Sequence, residues 1–210
     1  VRSQGHVRVV AQMLLDPNAT GGVGKVSLPP LAVPRSDFLQ NRQQVMQRVP
    51  EPELMDDLAQ ALAYGAADFS RGDATTLSLI RSLVDSTAGG AAPKRVFDLG
   101  CGPGNITLLL CKAFPGAEVI GVDGSAAMLN IARARAAESA VSPQLLCCSL
   151  QELQRAGPPG PADLIVSNSL LHHLHHPDLL WSVTARLAAP GCRVLHRDLR
   201  RPSSPSEIDR

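Results

Sequence analysis

The sequence predicts an α/β fold built on a parallel β-sheet, and three observations lead to that prediction. Apolar runs typical of strands alternate with helical runs from residue 95 to about residue 197. The first such run, Arg95–Leu99, ends in a glycine-rich turn, and the second, residues 118–122, is followed directly by Asp123. Because strands that alternate with helices form parallel sheets with right-handed crossovers, the two runs predict one βαβ unit built to hold a nucleoside.

The elements follow from apolar spacing and from helix-ending residues. Two helices are predicted before the first strand, since Leu54, Leu58, Ala61 and Leu62, and then residues 77–84, recur at helical spacing. Later helices are predicted over residues 106–114, from the N-cap Ser125 to about 139, and over 177–187; later strands are predicted over 144–148, 163–168 and 192–195, or as far as 197. The series of strands stops at five.

The spacing of the glycines selects the kind of nucleoside. Dinucleotide-binding turns follow the pattern G-x-G-x-x-G, whereas this turn has glycine at 100, 102 and 104 and Asn105 where the third glycine would stand. Asp98 precedes the turn, and its carboxylate would repel a pyrophosphate but attract a cationic ligand. Asp123 follows the second strand, where a carboxylate can accept hydrogen bonds from both ribose hydroxyls.

These residues resemble motif I of the class I S-adenosylmethionine-dependent methyltransferases, whose D-x-G-x-G-x-G core matches residues 98–104. The resemblance covers roughly residues 49–202 and is similar in its details to an uncharacterised bacterial branch. It implies a Rossmann-like sheet in strand order 3-2-1-4-5, S-adenosylmethionine as cofactor, and methyl transfer to an unidentified, small-molecule substrate. The cofactor-binding residues that it implies are Asp98, Gly100, Cys101, Gly102, Gly104, Asp123, Gly124, Met128, Ser149 and Asn168.

The C-terminal part departs from the family pattern. Related enzymes continue with two strands that form an antiparallel edge, and this sequence reaches Ser203-Ser204-Pro205 without them. We therefore expect a C-terminally incomplete domain over residues 46–210, preceded by an irregular extension over residues 1–45. Strand five would be an exposed edge open to self-association, and turnover of this form would be low.

Four histidines, at 172, 173, 175 and 176, follow the fourth predicted strand. Their spacing does not match a metalloenzyme pattern, so no metal is predicted. His172 and His173 are candidate catalytic residues because a histidine at this rim can deprotonate a substrate nucleophile; capping the next helix is the alternative role. Two other functions stay open: a non-catalytic nucleoside-binding remnant, and an NAD-dependent oxidoreductase, which Asp98 and Asn105 disfavour.

Composition narrows the partners. A net charge of +1 and 3% aromatic residues do not suggest nucleic-acid binding, and no apolar stretch reaches the length of a membrane span. Five cysteines without scaffold spacing, and no leading signal peptide, predict a cytoplasmic protein.

Overall fold

A six-stranded sheet flanked by helices forms the described part of this computed structural model, which comprises residues 7–14, 52–86, 91–157 and 160–199. The strands are β1 (Val7–Leu14), β2 (Arg95–Leu99), β3 (Glu118–Asp123), β4 (Gln144–Cys147), β5 (Ala162–Asn168) and β6 (Ala188–Leu199). The helices are α1 (Leu58–Ala66), α2 (Ser70–Asp85), α3 (Asn105–Ala113), α4 (Ala126–Glu138), α5 (Leu150–Ala156) and α6 (Asp178–Leu187).

The five strands from β2 to β6 are parallel and lie in the order β4-β3-β2-β5-β6. Numbered from β2, this is the predicted order 3-2-1-4-5, so the fold class is confirmed. The order reverses between β2 and β5, and ligands of open α/β sheets bind at such a switch point, beyond the carboxyl ends of the strands. The topology therefore places the site beside the loop that follows β2.

The prediction that strand five is an exposed edge is wrong. Strand β1 pairs with β6 in the antiparallel direction, from Val7 opposite Leu199 to Leu14 opposite Arg193. Backbone donors and acceptors along a sheet edge favour another strand, and here a segment far away in the sequence satisfies them. Residues 6–15 of the extension are apolar enough for a short strand or helix, and the structure has a strand there, whereas the rest of residues 1–45 lies outside the described residues.

Side chains alternate between two apolar layers, one on each face of the sheet. Phe97 and Leu99 pack with α5 and α6, whereas Val96 packs with α2 and α3. Strand residues two apart share a face. By this alternation Asp98, Asp123, Asn168 and Arg197 all lie on the face of α2 and α3, at the carboxyl ends of four neighbouring strands.

Local signals set the helix starts near the site. Ser125 caps α4 as predicted, since its Oγ accepts from the Met128 N–H at 3.2 Å. Helix α5 was not predicted, although Ser149 and Glu152 form a capping box at its start. Among the described residues, no helix is long and apolar enough to cross a membrane.

Candidate functional site

A cavity of about 720 Å³ opens at the carboxyl ends of the parallel strands. Nine of the predicted site residues line it, and they come from strands β2, β3 and β5, from the loops after β2 and β5, and from α4. These nine residues are Asp98, Gly100, Cys101, Gly102, Asp123, Met128, Asn168, His172 and His173. The structure therefore brings the glycine motif and the histidine segment to one space, although they are about seventy residues apart in the sequence.

The glycine loop, residues 100–104, is tied to β3 through its backbone. The N–H groups of Gly100 and Cys101 both donate to the Val122 carbonyl, at 2.8 and 3.0 Å. Gly102 has φ +53°, a conformation that favours glycine, and a Cβ added there would meet no atom within 4 Å. The open space beside Gly102 is the cavity itself, so the missing side chain leaves room for a ligand to contact the backbone.

Asp123 joins the glycine loop to the start of α4. Its Oδ2 accepts from the Gly102 N–H and its Oδ1 from the Ser125 N–H, both at 2.8 Å. Burial raises the pKa of this carboxyl, and the two backbone hydrogen bonds oppose that rise. Each carboxylate oxygen has a further lone pair, so Asp123 can still accept from a ligand's hydroxyls.

Asp98 is a buried acid on the cavity wall. It is 1% exposed, and the Thr107 hydroxyl donates to its Oδ2 at 2.6 Å. Burial raises its pKa to about 7, and the nearby Asp123 charge adds to the effect. Because desolvation disfavours this anion, a cationic ligand group beside it would be stabilised and would restore its ionised form.

The carboxyl ends of β5 and β6 form the opposite side of the cavity, which we call the β5–β6 rim and define by Asn168, Arg197 and Asp198. Arg197 Nη1 donates to Thr76 Oγ1 at 2.7 Å, to Asn168 Oδ1 at 3.0 Å and to the Gly72 carbonyl at 3.3 Å. The sequence places His196, Arg197 and Asp198 near the end of the fifth strand, which leaves open whether they line this rim or pair with one another, and Arg197 lines the cavity. Its contacts with α2 span more than a hundred residues, so no local pattern indicates them.

A histidine–aspartate pair lies on the other face of the same rim. His172 Nδ1 is 2.7 Å from Asp198 Oδ1, and Asp198 Oδ2 accepts from the Leu171 N–H at 2.6 Å. Asp198 is 4% exposed, so the carboxylate that orients the imidazole is itself buried. His173 stacks on His172 with ring centroids 4.1 Å apart, and its charge lowers the pKa of Asp123.

Three predicted cofactor residues do not line the cavity. The Ser149 hydroxyl is engaged with Glu152 in the capping box of α5. A Cβ at Gly124 would come within 2.5 Å of Leu54 Cδ2, and one at Gly104 within 3.1 Å of the Ala132 Cβ. Packing accounts for glycine at positions 104 and 124, and helix capping accounts for serine at position 149. Contact of these three residues with a cofactor stays a prediction.

His196 is 1% exposed and, unlike its neighbour Arg197, does not line the cavity. Ser167 Oγ lies 2.8 Å from its Nδ1 and Thr184 Oγ1 lies 3.0 Å from its Nε2. Burial lowers its pKa to about 4, so it is neutral at pH 7. Two hydroxyls and the edge of Trp181 satisfy this ring, which makes His196 a core residue.

Residues 52–57 and helix α1 also contribute to the lining of the cavity. Ser125 Oγ donates to the Met55 carbonyl at 2.9 Å, and the His175 N–H donates to Glu53 Oε1 at 2.8 Å. Tyr64 and Phe69 also line the cavity, with ring centroids 4.8 Å apart. Within the described ranges, no group of three or more His, Cys, Asp and Glu side chains could hold a metal ion.

Sequence comparisons match the part of the chain that builds the glycine loop. Residues 96–191 match a family described as a methyltransferase domain. Trans-aconitate 2-methyltransferase of Methylobacterium nodulans is 39% identical over 116 residues, which are 54% of this chain and 42% of that protein. Ubiquinone biosynthesis O-methyltransferase of Bordetella pertussis is 35% identical over 118 residues, 56% and 48% of the two chains. The chain spans less than half the length of these relatives.

Solved structures show the same fold. A Methanococcus maripaludis protein, provisionally assigned as an S-adenosyl-L-methionine-dependent methyltransferase, aligns with a TM-score of 0.55 at 20% identity, over 72% of this chain and 66% of that one. A Pyrococcus horikoshii OT3 protein aligns with a TM-score of 0.51 at 23% identity, over 62% and 55%.

Proposed function

We infer that this chain, which carries a class I S-adenosylmethionine-dependent methyltransferase domain, transfers a methyl group to a small-molecule substrate. The methyltransferase family predicted from the glycine motif is confirmed, and we propose S-adenosylmethionine as the cofactor of this chain. One observation supports the activity most strongly. Asp98, the glycine loop and Asp123 converge on one cavity, and the loop is hydrogen-bonded to Asp123 itself.

The cavity suits the cofactor on two physical grounds. Gly102 leaves a backbone cradle that any side chain would fill, and Asp98 is a buried acid with no cation in contact with it among the described residues. We assign the ribose to Asp123 and the methionine part to Asp98 and residues 100–104. The adenine would lie along residues 124–128, beside Met128, with Ser149 and Asn168 as further predicted contacts. When bound, the cofactor supplies a methyl group on a cationic sulfonium, which is a good leaving group.

The protein's part in the reaction is mainly alignment, since the methyl group is already activated. We assign His172 as the base that accepts the proton of the substrate nucleophile. With Nδ1–H donating to Asp198, the basic nitrogen of His172 is Nε2, and His172 lines the cavity. His173, the other predicted catalytic residue, would adjust the local charge between His172 and Asp123.

The substrate is proposed from the relatives and from the size of the cavity. The relatives act on trans-aconitate and in ubiquinone biosynthesis, which suggests an acidic or phenolic small molecule.

All five cysteines are free, in agreement with the proposed cytoplasmic location.

A methyl-transfer assay tests this function. We expect S-adenosylhomocysteine to form when S-adenosylmethionine is supplied with trans-aconitate or with a dihydroxybenzoate, and not without an acceptor. Binding of S-adenosylmethionine without turnover on either acceptor would favour the nucleoside-binding remnant over an enzyme.

Asp198→Asn tests the assignment of His172. The amide cannot hold the imidazole in the same tautomer, so we expect kcat to fall about 10²- to 10⁴-fold on a protic acceptor. The Kd for S-adenosylhomocysteine should stay unchanged. A kcat within threefold of the unmodified enzyme would remove His172 and Asp198 from the proton transfer.

A further inference from the structure

The four polar residues on one face of the sheet form a gradient of charge across the cavity. From β3 to β6 the carboxyl ends carry Asp123, Asp98, Asn168 and Arg197. Neighbouring strands lie about 4.8 Å apart, so Arg197 stands about three strand spacings, or about 14 Å, from Asp123. The negative end of this row faces the predicted cofactor, and the positive end has no role in the cofactor assignment above.

Arg197 is a half-buried cation held by neutral groups. Its three hydrogen bonds all leave from Nη1, and their acceptors are a hydroxyl, an amide oxygen and a backbone carbonyl. It makes no ion pair with any residue in the described part of the chain, and its Nε and Nη2 donate to none of them. The charge of Asp73 acts on it from farther away, while Asp73 itself accepts from Asn105 Nδ2 at 2.9 Å.

Burying part of a guanidinium among neutral groups costs free energy, and a bound anion would offset that cost. Burial lowers the pKa of Arg197, which reflects the cost of removing its charge from water. The three hydrogen bonds that Nη1 donates fix the plane of the guanidinium. Its Nε–H and Nη2–H groups then form a fork whose geometry matches the two oxygens of a carboxylate. Ser169 also lines the cavity, and its N–H donates to the backbone carbonyl of Arg197 at 2.8 Å.

We propose that Arg197 is a carboxylate-binding residue of this cavity, with Thr76 and Asn168 positioning its guanidinium. The proposal rests on the proposed function, and a carboxylate supplied by the acceptor would narrow the substrate class to acids. Residues 197 and 198 point to opposite faces of β6, so the carboxylate anchor and the His172 pair approach the cavity from different sides. A substrate with a carboxylate at one end and its nucleophile several bonds away fits this arrangement.

Two carboxylates are chemically suited to Arg197: that of the acceptor and that of the methionine part of the cofactor. Calorimetric titrations distinguish them. Tricarballylate, a saturated tricarboxylate, is titrated into the protein saturated with S-adenosylhomocysteine, and its triamide serves as the uncharged control. In parallel, S-adenosylhomocysteine is compared with 5′-methylthioadenosine, which lacks the amino-acid carboxylate.

The variants are Arg197→Gln, Arg197→Lys and, as a matched control, Arg133→Gln, which removes an exposed guanidinium of α4 that donates to Asn130 Oδ1. Binding to an acceptor carboxylate predicts that Arg197→Gln weakens tricarballylate at least tenfold, that Arg197→Lys weakens it less, and that S-adenosylhomocysteine is unaffected. Binding to the cofactor's carboxylate predicts that Arg197→Gln weakens S-adenosylhomocysteine and not methylthioadenosine. Arg133→Gln should change neither.

Equal affinities of Arg197→Gln and the unmodified protein for all three ligands would overturn the proposal. Thr76→Val provides a second test if Arg197→Gln unfolds, because it removes one support and keeps the charge; it should weaken carboxylate binding severalfold, and no change would count against the proposal. If S-adenosylhomocysteine fails to bind the unmodified protein, the proposed function fails. Tricarballylate titrated into the ligand-free protein and its Arg197 variants still tests the anchor in that case.

Discussion

The two halves of the cavity are built in different ways. The half made by the glycine loop and Asp123 is held together by contacts between residues about twenty apart, such as the Gly102 N–H on Asp123. The β5–β6 rim is held by contacts between residues that are far apart, such as Arg197 on Thr76, 121 positions away. The first half can therefore be recognised as a motif, and the second exists only once the chain has folded.

The difference in construction implies a difference in function. The glycine-loop half uses backbone groups and two carboxyls, which suits a constant cofactor with a cationic centre. The rim uses side chains: a guanidinium and a histidine–aspartate pair, which suit the acceptor, and the amide of Asn168, which supports Arg197 and is a predicted cofactor contact. Substitutions in the first half should change cofactor affinity, whereas substitutions of Arg197, Asp198 or His172 should change acceptor affinity and turnover.

Gly102→Val should have the largest effect on cofactor binding. The branched side chain would enter the open space beside the loop and would disfavour φ +53°. We expect no measurable heat with S-adenosylhomocysteine. Gly116→Ala is the matched control, since a Cβ there also meets nothing within 4 Å and its φ is not positive. Retained affinity in Gly102→Val would show that the loop does not cradle the ligand.

Asp123→Asn should weaken S-adenosylhomocysteine about tenfold to a hundredfold, the value of charged hydrogen bonds worth about 1.5–3 kcal/mol. The amide keeps one oxygen acceptor but loses the charge and one of the two backbone hydrogen bonds. Thermal unfolding must accompany the titration, because part of the effect passes through the loop. A folded variant with an unchanged Kd for S-adenosylhomocysteine would show that Asp123 does not bind the ribose.

The affinity for S-adenosylmethionine should depend on pH through Asp98. Its pKa of about 7 in the folded protein means that the anion forms only as pH rises through that value. Because the cation favours the anion, affinity should increase up to about tenfold per pH unit below pH 7 and level off above it. In Asp98→Asn the affinity should be low and nearly independent of pH; the same slope in both proteins would exclude Asp98 as its source.

His196→Phe should affect stability and leave cofactor binding unchanged. At pH 7 we expect a loss of about 2–3 kcal/mol of unfolding free energy, since the buried Ser167 and Thr184 hydroxyls lose a partner. The folded pKa of about 4 lies below the unfolded value of 6.5, so the unfolded chain binds more protons between these values. His196 therefore costs the unmodified protein up to about 3 kcal/mol as pH falls from 6.5 to 4. Denaturant titrations across this range should show that loss disappear in His196→Phe.

Most of the sheet and about half of the site can be predicted from the sequence alone. The parallel order, the Ser125 cap and the glycine loop follow from local spacing, which is why they could be predicted. The pairing of β1 with β6 could not, because antiparallel pairing between segments more than 170 residues apart depends on a free edge and not on a local pattern. The sequence also does not show which of His196 and Arg197 faces the cavity, because the face of the sheet that each residue occupies depends on the register of β6.

Calorimetry with S-adenosylhomocysteine and NAD⁺, run side by side on the unmodified chain, tests most directly whether the glycine-loop half is a methyltransferase cofactor site. The structure predicts a saturable heat with one molecule of S-adenosylhomocysteine per chain and none with NAD⁺, because Asp98 is buried where a pyrophosphate would meet its charge. A saturable heat with NAD⁺, and none with S-adenosylhomocysteine, would contradict this account.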